Sequence, residues 1–322
     1  MVDVLDEKVA QARKALRLAA EMSRTYYGDK LVLTYSGGKD SDVMLHLALG
    51  CLTADDFEVI NSHTGIDAPP TVKHIRKTFE KLNKDGIKAT IHIPRYPDGK
   101  QISIRSLIVK NVYPPTRTAR YCCKYLKETS VPNRLCALGV RGAESSNRKG
   151  RDVFATRGII GGGVQTGGGK FFSLDHAEEV HQESQEINDP VWDCTLIKTM
   201  KEHGDTIVNP IYDWSDSDVW QYINSRNVTV NPLYYPPYNY KRVGCVLCPM
   251  AGYYEKQKQI ADFPGFKRMY IAAFDAMLEE RKRRGLENKQ AWENGTEVFN
   301  WWTEEYKHNV KGQMDIFDLG EL

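Results

Sequence analysis

Short apolar runs alternate with amphipathic segments along the first half of the chain. Residues 31–35 form an apolar run bounded by charge and glycine, which predicts a buried strand, and residues 41–49 carry apolar side chains at helical spacing. The alternation then predicts strands at 57–65, 88–94 and 133–142, with helices at 69–86 and 102–110. Because strands that alternate with helices pair in parallel through right-handed crossovers, we predict an α/β fold with a doubly wound, mostly parallel sheet.

Helical periodicity also flanks the predicted sheet. Apolar positions recur at helical spacing over 8–26, and again over 255–284, where Pro264 divides the pattern into two helices. Between them, Ser215 or Asp216 can cap a helix, and two Gly triplets in 155–174 indicate either a flexible excursion or a tight hairpin. We therefore predict three parts. They are an N-terminal helix (1–27), an α/β domain (28–230) and a C-terminal helical region (231–322).

The amino-acid composition limits the partners and the cellular compartment that we expect for this protein. The 322 residues carry 44 basic and 42 acidic side chains, a net charge of +2. This balance gives no overall positive electrostatic field that would hold nucleic acid around the protein, although it does not exclude a local basic groove. The charged N-terminus lacks the apolar core of a signal peptide, and no stretch is apolar enough to cross a bilayer. We expect a cytoplasmic protein without a membrane partner.

The segment SGGKDS, which follows the first predicted strand, has the pattern of an anion site. Gly37 and Gly38 let the backbone approach a phosphate closely, and the helix that follows directs its unpaired N–H groups at the same point. Ser36 and Ser41 add hydroxyl donors, and Lys39 adds positive charge. The spacing fits neither a Walker loop nor the G-x-G-x-x-G fingerprint. The competing interpretation is a plain glycine turn with a capped helix.

Asp40 is an unusual neighbour for a phosphate, because two negative charges repel. It fits the site if it caps the helix or holds a magnesium ion.

Four of the seven cysteines fall in two close pairs, which predicts a metal site. Cys122 is adjacent to Cys123, and Cys245 and Cys248 form a C-x-x-C. Four soft ligands suit either a 4Fe–4S cluster or tetrahedral zinc, although structural zinc sites usually space their ligands by two to four residues. The other three, Cys51, Cys136 and Cys194, are interpreted as small core residues.

These segments resemble, in order along the chain, those of a known family. SGGKDS is similar to the pyrophosphate-binding loop of the PP-loop ATP pyrophosphatases, the group that includes the phosphoadenosine phosphosulfate (PAPS) reductases. NSHTGIDAPPTVKHI, GVRGAESSNRKGR and NPIYDWSDSDVWQYI resemble later segments of the reductase branch, although His63 and Pro70 depart from it. The resemblance implies an adenine nucleotide α-hydrolase-like fold.

The resemblance also assigns site residues. It implies that the nucleotide is bound by Ser36, Gly37, Gly38, Lys39, Asp40, Ser41, Thr64, Gly65, Arg141, Glu144, Ser145 and Arg148. Among these, it implies catalytic roles for Lys39, Asp40 and Arg141, with Mg²⁺ accompanying ATP. The Cys-Cys…Cys-x-x-Cys pattern is similar to that of adenylyl-sulfate reductases and DNA-phosphorothioation enzymes. This implies a 4Fe–4S cluster on Cys122, Cys123, Cys245 and Cys248.

The basic side chains around the first cysteine pair have two interpretations. They can place positive charge toward an anionic substrate, or they form an ordinary solvated helix end. The residues are Arg117, Arg120, Lys124 and Lys127.

The reaction stays open, because the reductases carry a catalytic cysteine near the C-terminus and this chain has none after Cys248. One hypothesis is an enzyme that splits ATP into AMP and pyrophosphate to activate a substrate for sulfur transfer, including sulfur modification of nucleic acid. The second is a sulfonucleotide reductase (adenylyl sulfate or PAPS) with a non-standard thiol. The third is a non-catalytic, nucleotide-binding partner subunit with structural zinc.

Candidate partners follow from these hypotheses. They are an adenine nucleotide, a nucleic acid or a sulfur-donor protein, and further copies of the chain or the subunits of a small complex. The C-terminal aromatic residues can stack on bases, but such residues more often close a small core.

Overall fold

The computed structural model describes residues 4–127, 130–144, 150–156, 159–160, 163–164, 169–186, 194–286 and 292–304. The chain divides into two compact units. The first comprises Met1–Ile104 and Arg120–Cys245, and the second comprises Arg105–Ala119 and Val246–Leu322.

The first unit alternates strands and helices, as the sequence predicts. Its helices are α1 (Val4–Met22), α2 (Lys39–Leu49), α3 (Pro69–Lys84), α5 (Tyr121–Leu126), α6 (Leu174–Glu186), α7 (Thr195–Lys201) and α8 (Asp216–Ser225). Its strands are β1 (Leu31–Thr34), β2 (Phe57–Ser62), β3 (Ala89–His92), β4 (Leu135–Ala137), β5 (Phe154–Thr156), β6 (Ile159–Ile160), β7 (Gly163–Val164), β8 (Phe171–Phe172) and β9 (Thr206–Val208). A π-helical turn, Ser23–Tyr27, extends α1.

The seven-stranded sheet has the order β3-β2-β1-β4-β9-β5-β8. The strands from β3 to β9 in this order pair in parallel, and β5 pairs antiparallel with both β9 and β8. The predicted fold class, a doubly wound and mostly parallel sheet, is confirmed. The chain builds outward from β1 to β3 and then returns to the other side of β1. The switch point of the topology therefore lies between β1 and β4, where open α/β sheets bind ligands.

The central strands are anchored by alternate apolar side chains. Leu31 and Leu33 of β1 are fully buried, and they join Phe57, Val59 and Ala137 of the neighbouring strands in one core. Burying a side chain of this size stabilises the fold by about 2 kcal/mol. Val32, on the other face of β1, is fully buried as well, as expected of a parallel strand whose two faces are both covered by helices.

The described residues of the 155–174 segment include paired strands. Ile159 and Ile160 of β6 pair antiparallel with Val164 and Gly163 of β7, which is the hairpin interpretation of the Gly-rich stretch. The predicted strands at 57–65 and 133–142 are longer than β2 and β4, because the residues that flank these two strands belong to loops.

The second unit contains α4 (Ile104–Asn111), most of which belongs to it, and α9 (Tyr253–Asp262), α10 (Pro264–Arg283) and α11 (Gly295–Thr303). Pro264 separates α9 from α10, as predicted. Trp302 packs on Tyr270 with ring centroids 4.7 Å apart, and its Nε1 donates to the Pro115 carbonyl at 2.6 Å. The aromatic residues thus close a small core. Across the described part of the chain, no helix has the length and apolar character to cross a membrane.

Candidate functional site

The loop between β1 and α2 has the backbone that the two glycines were predicted to provide. Gly37 has φ +72°, in the left-handed region, and a Cβ placed on it would lie 2.8 Å from Ile75 Cγ1. Gly38, with φ −93° and ψ 160°, is the N-cap of α2. The turn is therefore closed to larger residues at Gly37, and α2 begins directly at Lys39.

The N-terminus of α2 faces the end of β4. The N–H of Asp42 makes the first bond inside the helix, to the Gly38 carbonyl at 3.0 Å, so three earlier N–H groups have no partner within the helix. A Cβ on Gly139 would lie 3.1 Å from the Asp40 carbonyl and 3.2 Å from the Ser41 nitrogen. This close approach of two backbones places the anion-binding end of α2 at the topological switch point.

Two cations and two carboxylates form a network at this helix end. The buried Lys39 ammonium lies 3.0 Å from Asp216 Oδ1 and 3.4 Å from Asp40 Oδ2. The equally buried Arg141 donates from Nε to Asp40 Oδ1 at 2.7 Å and from Nη2 to Asp216 Oδ1 at 3.0 Å. Each cation thus contacts both carboxylates, and the cluster is balanced in charge without a ligand.

Asp216 is held in its ionised form by this network. Burial opposes its ionisation, but the Lys39 hydrogen bond and charge, together with the Arg141 guanidinium, outweigh burial and lower the pKa of the carboxyl. Asp216 is the first residue of α8. Its N-cap, Ser215, accepts the Asp218 N–H and donates its own N–H to the Asp218 carboxylate, which confirms the predicted cap.

Asn231 anchors the loop between β1 and α2 through the hydrogen bonds of its side chain. Its fully buried side chain donates to the Gly37 carbonyl at 2.8 Å and to Thr71 Oγ1 at 3.0 Å. Within the loop, Ser41 Oγ donates to the Gly38 carbonyl at 2.8 Å, and Ser36 Oγ lies 3.3 Å from Ser41 Oγ. The loop is therefore held by hydrogen bonds within itself and to Asn231.

A second buried network lies at the start of α2. The Asp42 carboxylate accepts hydrogen bonds from the Tyr35 hydroxyl and from His74 Nε2, the latter at 2.9 Å. Burial raises the pKa of Asp42, against the opposing effect of these two donors. Burial and the Asp42 charge also raise the pKa of Tyr35, which therefore keeps its proton.

A cavity of about 460 Å³ opens at the carboxyl ends of the central strands. It is lined by loop residues (Ser36, Gly38, Lys39, Asp40, Ser41), by β1 and β2 (Thr34, Ile60, Ser62), by the end of β4 (Leu138, Gly139, Val140) and by Tyr234, Arg242 and Val243. Lys127 and Cys136 also line it. The volume and the mixed polar and apolar walls suit a small-molecule ligand.

Cys136 and Lys127 both line the cavity, which the sequence alone does not predict. Cys136 is buried, as expected of a core residue, yet it also lines the cavity. Of the basic residues around the cysteine pair, Lys127 lines the cavity and is also exposed to solvent, which is compatible with both interpretations of its charge.

Three of the four predicted metal ligands belong to the first unit and lie around Lys127. The Cys122 thiol donates to Cys123, and this bond, with the Arg120 guanidinium, outweighs burial and lowers the pKa of Cys123 to about 5. Thiolate charge on Cys245, with Asp67 and Cys123, raises the pKa of Lys127. Cys248 belongs to the second unit. Among the described residues, no three His, Cys, Asp or Glu side chains are grouped closely enough to hold a metal ion.

The donor chemistry nevertheless fits a soft metal centre. Thiolates are the ligands that iron–sulfur clusters require, and Arg120 and Lys127 supply the positive charge that stabilises thiolates.

The remaining predicted residues lie along the rim of the cavity or beyond the described part. Thr64 donates to Asp67 Oδ2 at 2.8 Å, in a turn where Gly65 has φ +73°. Glu144 pairs with Arg242 Nη2 at 3.4 Å and lines the cavity. Ser145 and Arg148 lie outside the described residues.

The sequence does not predict Asn231 or Tyr234 in the site, and it predicts Asp216 only as a helix cap. Each of these residues contacts the loop from a distant part of the chain. Asn231, for example, is 194 positions away from Gly37. The available signal was local: Asn231 precedes Pro232 and Tyr234 is in the Tyr-rich stretch that follows, which marks a turn but not its partner.

Comparison with known proteins assigns the family. Residues 30–251 match the phosphoadenosine phosphosulfate reductase domain. The match covers more than half of the chain, and the chain therefore belongs to this family, as the motif resemblance predicted. Membership places it in the PAPS reductase-like family of the PP-loop superfamily.

Individual relatives are distant. An uncharacterized protein of Methanocaldococcus jannaschii is 26% identical over 80% of this chain and 49% of its own length. Sulfate adenylyltransferase subunit 2 of Hyphomonas neptunium is 26% identical over 71% of this chain and 61% of its own length. The chain thus spans about half to three fifths of these two relatives. A phosphate complex of phosphoadenylyl-sulfate (PAPS) reductase from Candida auris aligns over 76% of this chain and 95% of its own, with 15% identity and a TM-score of 0.41.

Proposed function

We propose that this member of the PAPS reductase domain family binds ATP at the Ser36–Ser41 loop, splits it into AMP and pyrophosphate, and so activates a substrate for sulfur transfer. The observation that carries the proposal is the convergence of the α2 N-terminus and the buried Lys39 ammonium on one cavity at the switch point of the sheet. Such a site attracts phosphate oxygens through backbone dipoles and a fixed charge.

The residues of the loop have different roles in this reaction. The glycines let the phosphates approach the backbone, and the Ser36 and Ser41 hydroxyls, which hydrogen-bond within the loop, line the same cavity. When the acceptor attacks the α-phosphorus, the bond to the β-phosphate oxygen breaks and pyrophosphate leaves with the electron pair. Lys39 and Arg141 stabilise the charge that develops on these oxygens, and Asp40 holds the Mg²⁺ that accompanies the nucleotide.

The other predicted binding residues surround the nucleoside. Thr64 and Glu144 line the same cavity as the loop, and Gly65 supplies the turn beside Thr64. The apolar walls formed by Ile60, Leu138 and Val140 suit a base. Ser145 and Arg148 are assigned to the nucleotide by the family motif.

We assign a 4Fe–4S cluster to Cys122, Cys123, Cys245 and Cys248. Support comes from the number of cysteines, their softness and the cationic side chains beside two of them, Cys123 and Cys245. When bound, such a cluster supplies a site that can hold and donate sulfur or electrons. The chain's own contribution is to keep thiolates available close to Lys127, which also lines the nucleotide cavity.

We also propose that the acceptor and the sulfur donor are partners of this chain. Since one relative is named as a subunit 2, we propose that this chain also works in a small complex or as an oligomer. A nucleic acid or a sulfur-donor protein is the partner class that sulfur transfer needs.

Pyrophosphate release from Mg·ATP by the anaerobically purified protein tests the proposal. Lys39→Ala should abolish release and weaken ATP binding, whereas Lys84→Ala, which removes an exposed lysine paired with Glu80, should change neither. Unchanged ATP, with no saturable binding by the wild-type protein, would overturn the assignment.

A second candidate function is favoured by the position of Cys136. If the nucleotide is adenylyl sulfate or PAPS, the Cys136 thiolate would attack its sulfur, form a thiosulfonate and release the nucleotide phosphate. Its place in the cavity wall is the supporting observation. Sulfite release with thioredoxin, lost in Cys136→Ser and kept in Cys194→Ser, would establish this reaction in place of ATP cleavage.

A further inference from the structure

The Tyr234 side chain occupies the mouth of the phosphate-binding loop. Its hydroxyl accepts the backbone N–H of Lys39 at 3.0 Å, and a Cβ on Gly38 would lie 3.5 Å from the same oxygen. The Lys39 ammonium lies 6.0 Å from the centre of the Tyr234 ring. The phenol therefore lies within hydrogen-bond reach of the first backbone donor that a bound phosphate would meet.

The position of Tyr234 is fixed by the same residue that anchors the loop. Asn231 donates to the Gly37 carbonyl, and its own side-chain oxygen accepts the Leu233 N–H at 3.1 Å, which holds the short Pro232–Tyr234 turn. Trp220 packs edge-on against the Tyr234 ring at 5.6 Å. The hydroxyl is thus preorganised relative to the loop and does not need a conformational search to reach it.

The hydroxyl acts as an acceptor toward the protein, and its own proton is therefore available to a ligand. The oxygen accepts the backbone N–H of Lys39, which lines the cavity. Burial raises the pKa of Tyr234 in spite of this donor, so the phenol stays protonated at neutral pH. A neutral phenol beside an anion site is a donor that adds no charge.

We propose that Tyr234 is a phosphate-binding residue, whose O–H donates to a phosphate oxygen of the nucleotide held by the Ser36–Ser41 loop. The inference deepens the proposed function and rests on it. A bound phosphate oxygen takes over the Lys39 N–H as the stronger, charged acceptor, and the freed phenol turns its proton toward the same phosphate. Tyr234 thereby joins the loop to the 231–244 segment through the ligand.

The test compares Tyr234→Phe with Tyr235→Phe, which removes the hydroxyl of the adjacent exposed tyrosine. Dissociation constants for Mg·ATP, pyrophosphate and adenosine are measured by calorimetry on the full chain. Loss of a hydrogen bond to a charged group predicts a roughly tenfold weaker binding of Mg·ATP and of pyrophosphate by Tyr234→Phe. Adenosine, which lacks phosphate, should bind equally to all three proteins.

Each other outcome overturns the proposal in a distinguishable way. Unchanged or tighter pyrophosphate binding by Tyr234→Phe means that the phenol only competes with phosphate for the Lys39 N–H. Equal weakening for adenosine means a structural role alone. Failure of the wild-type protein to bind Mg·ATP removes the proposed function as well, whereas intact wild-type binding confines the failure to Tyr234.

Discussion

Arg141 Nε donates to Asp40 Oδ1 at 2.7 Å and joins two segments that are 101 residues apart in the chain. The contact ties the loop after β4 to the first turn of α2. Because Asp216 bridges the same arginine and Lys39, the N-terminal end of α2 is held by charge as well as by packing.

Arg141→Gln should destabilise the protein, because it leaves two carboxylates facing a single ammonium. Breaking a buried ion pair costs about 3–5 kcal/mol, and we expect about 3 because the Asp216 side chain is 66% exposed. Urea unfolding gives the change. Arg226→Gln, which breaks an exposed pair with Asp6, should cost under about 0.5 kcal/mol, and equal losses in the two variants would refute the role of the network.

Gly37→Ala should be more damaging than Gly28→Ala, although both glycines have positive φ. A Cβ on Gly37 meets Ile75 Cγ1 at 2.8 Å, whereas nothing lies within 4 Å of one on Gly28. Backbone strain alone costs roughly 1–2 kcal/mol, and overpacking adds a further 1–3 at Gly37. Thermal unfolding of both variants and their affinity for Mg·ATP provide the check. Similar stability losses would mean that the loop is not as closely packed as described.

Asn231→Ala should weaken both folding and nucleotide binding. It leaves the Gly37 carbonyl and the Thr71 hydroxyl without their buried donor, at a cost of about 3 kcal/mol. Asn300→Ala, at an exposed position of α11, should stay within about 0.5 kcal/mol of the wild-type protein. Denaturant titration measures both changes, and a neutral Asn231→Ala would contradict the anchoring role.

The loop, the start of α2 and the first three strands could be predicted from the sequence because their signals are local. An apolar run, a glycine pair and a helical period lie within 20 residues of one another, so no long-range contact is needed to interpret them. The α8 cap is similarly local, since Ser215 and Asp218 are three residues apart.

The contacts that complete the site could not be predicted in this way. Tyr234 reaches Lys39 across 195 residues, and nothing near either residue specifies the other. Strand β9 has only three residues, and it inserts between β4 and an antiparallel β5, which the alternation of strands and helices does not reveal. Tertiary packing decides such short elements.

Asp42→Asn should stabilise the protein at neutral pH. Burial raises the folded-state pKa of this carboxyl, so the stability that its protonated form provides is complete below its unfolded pKa of about 4 and is lost as the pH rises through the higher folded value. Asparagine stays uncharged and still accepts from Tyr35. Urea midpoints should therefore be higher for the variant at pH 7 and should converge with the wild type near pH 4. A lower midpoint at pH 7 would contradict this assignment.

Metal analysis of the anaerobically purified protein should give four irons and four sulfides per chain, the content of one 4Fe–4S cluster. Cys123→Ser and Cys245→Ser should lose most of the iron, whereas Cys51→Ser and Cys194→Ser should retain it. One equivalent of zinc per chain, without sulfide, would contradict the cluster assignment and would indicate a structural zinc site instead.

The identity of the products formed from Mg·ATP tests the central claim most directly. ATP labelled separately at the α- and γ-phosphates is incubated with the full chain and its acceptor fraction, and the products are separated by ion exchange. The account predicts label in AMP, or in an adenylylated acceptor, and in pyrophosphate, in equal amounts and only with Lys39 intact. Label in ADP and inorganic phosphate, or products that persist in Lys39→Ala, would contradict it.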